Sequence, residues 1–206
     1  MVDQPPKPTR REQYALTTRQ AIVDAARKLF VKQGYFATRI EEIAREAQVA
    51  PATIYTSAGG KSGLLAEMVR LWQTDPAIEA NLARNAGNTD PHALIADLSA
   101  TTRQIREEWE DVIRILLTTA PHDATVAEQL EGPTRYYRGS IAGIAQRLAD
   151  LGALRDGIDV GHATDILWFY FGYGALYTLH EENGWSYDQA EQWLTSEAIR
   201  ALFKPS

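Results

Sequence analysis

Hydrophobic residues recur every three or four positions through most of this 206-residue chain, which is the spacing of amphipathic helices. The first such stripe extends from Ile22 to Phe30, and Gly34 follows it as a residue suited to the end of a helix. No stretch alternates with the period of two that marks a strand. The pattern therefore predicts an all-α protein whose first helix begins near residue 17 or 18.

Two short helical segments follow the first helix. Thr38-x-x-Glu41 has the form of a capping box, which predicts the start of a second helix of two turns. Pro51 suits the first turn of a third helix, because no hydrogen-bond partner exists there for the N–H that proline lacks. A short gap separates the two segments, as in a helix-turn-helix. We therefore predict a helix-turn-helix between Thr38 and Tyr55.

Helical periodicity continues beyond this motif and predicts about nine helices in all. A fourth helix is expected from Lys61, and Pro133 is expected to kink or break a long later one. Asp159 and Ser186 are predicted N-caps, and Ser186 begins a second capping-box pattern with Gln189. The later helices are expected over residues 92–106, 109–120, 124–151, 160–183 and 187–203.

Charge is divided unevenly along the chain. Residues 1–61 hold ten Lys/Arg and six Asp/Glu, whereas residues 62–206 hold eleven and twenty-one. A basic module suits a polyanion such as DNA, and the acidic remainder then serves another purpose. We expect a disordered arm over residues 1–16, a DNA-binding domain over 17–61 and a helical regulatory and dimerisation domain over 62–206.

Composition argues against several other classes of protein. The chain has no cysteine, which excludes disulfides and thiol catalysis, and its four histidines lack the spacing of metal ligands. The longest apolar run, residues 166–179, is too short to span a membrane. The N-terminal residues lack the apolar segment of a secretory signal. We expect a cytoplasmic protein with no metal, no cofactor and no membrane partner.

Gly60-Lys61-Ser62 has the ending of a phosphate-binding P-loop, so a helical nucleotide-binding enzyme is an alternative. That motif needs a glycine where Tyr55 stands, and a strand must lead into it. The residues that lead into it here have a helical pattern. We therefore expect that the chain is not an enzyme.

Several short motifs stand together between residues 18 and 69. They are Leu29-Phe30, Gly34-Tyr35-x-x-Thr38, Glu42-Ile43-Ala44, Val49, Thr53-Ile54-Tyr55, and Lys61 followed by Leu64-Leu65. This set resembles the TetR family of bacterial transcriptional regulators. The later segments DILWFYFGYGALYTL and GWSYDQAEQWL resemble actinobacterial members of that family. One departure concerns Thr56, Ser57 and Ala58, which stand where members usually carry an aromatic or polar residue, a histidine and a phenylalanine.

The resemblance implies a three-helix DNA-binding domain followed by a helical domain that binds a ligand and dimerises. It implies a repressor that binds a near-palindromic operator in double-stranded DNA and responds to a small-molecule effector. Control by a protein partner, or without any ligand, is the alternative. DNA contacts are expected at Thr38, Arg39, Pro51, Ala52, Thr53, Tyr55, Thr56 and Lys61.

The third helix is the expected recognition helix, and its chemistry predicts how DNA is read. Residues 50–55 include no Arg, Asn or Gln, so the side chains that make bidentate contacts to purines are absent. Arg39 is the long cationic side chain nearby that can reach a guanine or a phosphate. We expect modest hydrogen bonding to bases and a large share of shape readout.

Aromatic side chains are frequent after residue 61 and suit a mostly apolar ligand site. The run from residue 168 to 177 is apolar around the whole helix, so it needs cover on both faces. We expect one face to meet a partner subunit, in a homodimer whose last two helices form a four-helix bundle. Ligand contacts are expected at Trp72, Trp109, Tyr137, Trp168 and Phe171.

Overall fold

Helices account for the regular structure of the chain. The computed structural model describes residues 9–85 and 87–204. Its helices are α1 (Arg10–Gln33), α2 (Ile40–Glu46), α3 (Pro51–Ala58), α4 (Lys61–Gln73), α5 (Pro76–Asn85), α6 (Pro91–Thr119), α7 (Ala124–Asp150), α8 (Val160–Phe171), α9 (Ala175–Tyr177) and α10 (Tyr187–Leu202). A 3-10 turn, Ala120–His122, precedes α7, and a π-helical segment, Thr178–Glu182, continues α9. The predicted all-α class is confirmed.

Helix α1 begins at Arg10, earlier than the hydrophobic pattern predicted. The Thr9 hydroxyl accepts a hydrogen bond from the Glu12 backbone N–H at 3.3 Å, and the Glu12 carboxylate accepts one from the Thr9 N–H at 2.7 Å. This capping box satisfies N–H groups that a helix start leaves without partners. Residues 10–16 of the expected disordered arm are therefore helical, because a good cap compensates for their polar composition. Residues 1–8 of that arm lie outside the described residues.

The start of α2 differs from the predicted capping box by one residue. Its N-cap is Arg39, whose backbone N–H donates to the Glu42 carboxylate at 3.0 Å. The Thr38 hydroxyl instead donates to the Gly34 carbonyl at 2.8 Å. The predicted capping role of Thr38 is therefore wrong, because its buried hydroxyl finds an acceptor at the end of α1.

Three features after α4 differ from the sequence pattern. Helix α5 was not predicted, and the two helices expected over 92–106 and 109–120 are the single helix α6. The helix expected over 160–183 is interrupted after Phe171. A Cβ atom at Gly172 would lie 2.3 Å from the Trp168 carbonyl oxygen, so this turn requires glycine. Helix α6 continues through the polar residues 107 and 108, whereas the close backbone approach at Gly172 ends α8.

The predicted caps of α8 and α10 are confirmed. The Asp159 carboxylate accepts from the His162 backbone N–H at 2.8 Å. The Ser186 hydroxyl accepts from the Gln189 N–H at 3.1 Å, and the Gln189 side-chain oxygen accepts from the Ser186 N–H at 3.0 Å. Helix α7 continues through Pro133, so a break at that residue, one of the two predicted outcomes, is wrong.

The described residues form two units. Of these residues, the first unit contains those up to Arg70 together with Arg114–Gln129, and the second contains those between Leu71 and Ile113 and those from Leu130 onward. In the first unit, three fully buried side chains come from α1, α2 and α3 respectively: Phe30, Ile43 and Ile54. In the second, the core is built by α6, α7, α8 and α10, with Leu94, Leu148, Phe171 and Leu194 among its buried residues. The predicted domain boundary at residue 61 stays a prediction. Within the described ranges, no helix is both long and apolar enough to cross a membrane.

Candidate functional site

A tight turn joins α2 to α3. Gln48 in this turn has a φ of 56°, a left-handed conformation that residues other than glycine rarely adopt. The Val49 backbone N–H donates to the Ala44 carbonyl at 2.9 Å, which closes the turn. Pro51 occupies the first turn of α3, as predicted. These local contacts build a helix-turn-helix from two helices too short to be stable alone.

Helix α3 has a buried side and an exposed side. Ile54 faces the core of the first unit with no exposed surface, whereas Tyr55 is 59% exposed. The outer face consists of Pro51, Ala52, Tyr55 and Thr56, and Thr53 is half-buried beside it. No residue of α3 carries a charge, so its outer face offers shape, methyl groups and hydroxyls.

The other residues expected at the DNA differ in how they are placed. Arg39 is exposed at the N-cap of α2, whereas Thr38 is only 1% exposed. The Lys61 ammonium donates to the Tyr35 carbonyl at 2.8 Å and lies 4.7 Å from the centre of the Tyr35 ring. Partial burial lowers the pKa of Lys61, and the charge of Asp123 opposes this. Arg39 is therefore exposed, whereas the polar groups of Thr38 and Lys61 form hydrogen bonds within the protein.

Helix α3 ends in close contact with α4. Gly59 ends the helix with a φ of 72°. A Cβ atom at Gly63 would lie 1.5 Å from the Ala58 carbonyl oxygen, a distance that no side chain tolerates. The position of α3 thus depends on Gly63. The sequence pattern did not mark this residue, because a glycine in a helical pattern indicates only a weak helix former.

The second unit contains a cavity of about 100 Å³. Among the residues that line it are Trp72 at the end of α4, Thr102 and Arg106 on α6, Tyr137 on α7, and Tyr173 in the interruption between α8 and α9. The remaining wall is largely aliphatic and includes Leu98, Ile105, Ile113 and Ile144. This arrangement suits a small, mostly apolar ligand.

Two of the five aromatic residues expected at a ligand line this cavity, namely Trp72 and Tyr137. Trp109, Trp168 and Phe171 are not among its described lining residues. The Trp109 indole N–H donates to the Asp75 carboxylate at 2.8 Å, and Phe171 belongs to the buried core. The Trp168 ring centre lies 5.6 Å from that of Tyr137, so Trp168 packs against a lining residue.

Arg106, which is only 3% exposed, was also not predicted at the cavity. One guanidinium nitrogen lies 2.9 Å from the Glu110 carboxylate, and another donates to the Tyr173 carbonyl. Arg106 stands in a run of charged residues, a pattern that usually marks a solvent-facing helix. The available signal was the four-residue spacing to Glu110, which places both side chains on one helix face.

Comparison with known proteins identifies the helix-turn-helix. Residues 22–68 match the family described as bacterial regulatory proteins, tetR family. This segment of the chain is of the TetR type. These regulators bind DNA and small-molecule effectors, typically as dimers, and they are not enzymes. The predictions of a TetR-type regulator and of a chain that is not an enzyme are confirmed.

Relatives and solved structures agree with this family. The chain is 26% identical over 172 residues to the uncharacterized HTH-type transcriptional regulator YvkB of Bacillus subtilis (strain 168), across 79% of this chain and 84% of YvkB. The SmeT–triclosan complex matches with a TM-score of 0.74 and 23% identity, over 92% of this chain and 93% of SmeT. NalD, the secondary repressor of the MexAB-OprM multidrug efflux pump in Pseudomonas aeruginosa, matches with a TM-score of 0.72 and 22% identity. The match covers 94% of this chain and 100% of NalD. At these identities the two structures support the TetR fold.

The close approach at Gly63 predicts that Gly63→Ala displaces the recognition helix. The added methyl group must move Ala58, so hydrogen exchange of the α3 amides should accelerate and the free energy of unfolding should fall. Gly143→Ala is the matched control, because Gly143 is an exposed helical glycine with nothing within 4 Å of an added Cβ. That control should be neutral or stabilise the protein by up to ~1 kcal/mol. Equal effects of the two substitutions would contradict the role of Gly63.

Proposed function

We propose that this TetR-family protein is a ligand-responsive repressor that binds a near-palindromic operator as a homodimer in the cytoplasm. The observation that carries the proposal is the helix-turn-helix with the exposed outer face of α3, which has the size and form to enter a major groove. The cavity of the second unit supports the ligand response. The triclosan complex of SmeT, a protein of the same fold, agrees with this role for the cavity.

In this proposal the DNA-contacting surface consists of the outer face of α3 and Arg39. Pro51 and Ala52 pack against thymine methyl groups, while Thr53, Tyr55 and Thr56 contact phosphates or base edges. Arg39 neutralises a phosphate from the start of α2. Thr38 and Lys61 act as positioning residues, since their polar groups hold the end of α1 and the following loop.

The ligand response is proposed as a shift between two arrangements of the dimer. A ligand that prefers the arrangement with low DNA affinity lowers operator binding by its differential affinity, typically ~1–3 kcal/mol. Helix α4 is the proposed link, because Lys61 to Arg70 belong to the first unit whereas Trp72 lines the cavity of the second. A ligand against Trp72 thus touches the helix on which α3 depends.

The dimer is proposed to form through α8 and α10. Each of these helices carries a large apolar side chain that is well exposed, with Phe169 on α8 exposed by 71% and Trp193 on α10 by 43%. Exposed aromatic residues on neighbouring helices mark a surface for another protein. A two-fold axis would bury both residues in a single four-helix bundle.

Selection of bound sequences from random double-stranded DNA tests the proposed function. The purified protein should enrich a near-palindrome, since each subunit of a two-fold dimer reads one half-site. The central positions should be rich in steps that bend easily, because α3 lacks the side chains for bidentate base contacts. Enrichment of no sequence, or of a single asymmetric half-site, would contradict the proposed repressor dimer.

Salt dependence separates the proposed phosphate-binding residue from the positioning residue. Arg39→Ala should reduce the slope of log affinity against log salt by about 0.9 for each phosphate that Arg39 neutralises. Lys61→Met should weaken binding but leave the slope unchanged, and Lys61→Arg should restore part of the affinity. Arg135→Ala is the control, because Arg135 is an exposed cation of the second unit. A lower slope in Lys61→Met would show that Lys61 contacts a phosphate.

Trp193→Arg tests the proposed dimer surface. A charged side chain there should prevent burial of the surface, so light scattering at micromolar concentration should report a monomer where the unmodified protein is a dimer. Val31→Arg is the control, since Val31 is an apolar residue of α1 with 56% exposure. If Trp193→Arg stays dimeric, the interface lies elsewhere.

A further inference from the structure

The hydroxyl groups of Thr102, Tyr137 and Tyr173 in the cavity wall already have hydrogen-bond partners. The Tyr137 hydroxyl donates to the Phe171 carbonyl at 2.5 Å and lies 3.0 Å from the Thr102 hydroxyl. The Tyr173 hydroxyl lies 3.1 Å from that of Thr134. Burial raises the pKa of both tyrosines, so both phenols stay neutral at physiological pH. A polar ligand would have to break one of these bonds to make its own, and the net gain would be small.

The charge of the cavity wall is balanced as well. Among the described lining residues, Arg106 is the only charged one. Its guanidinium lies 2.9 Å from the Glu110 carboxylate, whose side chain is 14% exposed. It also donates to the carbonyls of Gly172 and Tyr173. A ligand with a net charge would therefore add an unbalanced charge to a site of low polarity, which costs far more than burial of a neutral group.

Size limits the ligand further. The cavity has a volume of about 100 Å³. An apolar cavity of ~150 Å³ in another protein accommodates benzene, whereas drug-sized ligands occupy pockets of ~300–1,000 Å³. Apolar walls at Trp72, Leu98, Ile105, Ile113 and Ile144 match an apolar ring. The volume is therefore on the scale of a single ring and well below that of a drug-sized ligand.

We propose that this cavity takes an uncharged, apolar molecule of about one aromatic ring, and that it rejects anions and cations of the same size. The paired hydroxyl groups, the Arg106–Glu110 ion pair and the small volume carry this inference. It rests on the proposed ligand-responsive function and specifies the chemistry of the effector.

Calorimetric titration of the full-length protein with three molecules of similar size tests the inference. Ethylbenzene is neutral, benzoate is an anion and benzylammonium is a cation. Ethylbenzene should bind at least about tenfold more tightly than either ion, which corresponds to ~1.4 kcal/mol. No binding of ethylbenzene, or equal or tighter binding of either ion, overturns the proposal.

Glu110→Gln tests the charge balance directly. This substitution keeps an acceptor near Arg106 but leaves its positive charge uncompensated. The affinity for benzoate should therefore rise at least about tenfold relative to the affinity for ethylbenzene. Glu107→Gln is the matched control on the same helix, because Glu107 is 42% exposed and pairs with Arg103 instead. An unchanged preference in Glu110→Gln, with the fold intact by circular dichroism, contradicts the role given to the ion pair. If that variant does not fold, the titrations of the unmodified protein still decide the proposal.

Operator binding in the presence of the same molecules separates this inference from the proposed function. If ethylbenzene binds but operator affinity does not change, the chemistry of the cavity stands and the ligand-responsive function fails. If benzoate or benzylammonium releases the operator and ethylbenzene does not, the function stands and the inference is overturned.

Discussion

The close approach of α3 to α4 is the constraint on which the DNA-contacting surface depends. The recognition helix has only eight residues, so it cannot be stable alone and takes its position from its contacts. Ile54 anchors its inner side, and the absence of a side chain at Gly63 lets its last carbonyl group lie against α4. A DNA-contacting surface that is positioned in this way is sensitive to any change in α4.

Three helices contribute residues to both units, and this continuity makes a ligand response physically possible. Helices α4, α6 and α7 each have one segment in the first unit and another in the second. The cavity is lined by residues from all three, including Trp72, Arg106 and Tyr137. A ligand that changes the packing around these side chains acts on helices whose other segments belong to the first unit. The buried Arg106 favours a neutral ligand, because its charge is balanced by Glu110.

Sequence patterns predicted the features that local chemistry determines. The helix-turn-helix follows from periodicity and from Pro51, and the caps at Asp159 and Ser186 follow from local hydrogen bonding. Features that depend on tertiary contacts were missed. The buried Arg106 contacts carbonyl groups distant along the chain. The obligatory Gly63 and the glycine interruption after α8 depend on close backbone approaches, and the Thr38 hydroxyl turns inward to the Gly34 carbonyl, which periodicity does not encode. The cavity could not be predicted, because the same aromatic residues at helical spacing also build cores.

The distance between the two recognition helices of the dimer tests the central claim most directly. Because the chain has no cysteine, Glu41→Cys on the exposed side of α2 provides a single spin-label site in each subunit. Double electron–electron resonance should report one narrow distance with operator bound, consistent with helices ~34 Å or a multiple apart. Saturation with ethylbenzene should shift that distribution and release the DNA. An identical distribution with and without the ligand, or no distance between subunits at all, would contradict a dimeric repressor that a ligand in this cavity controls.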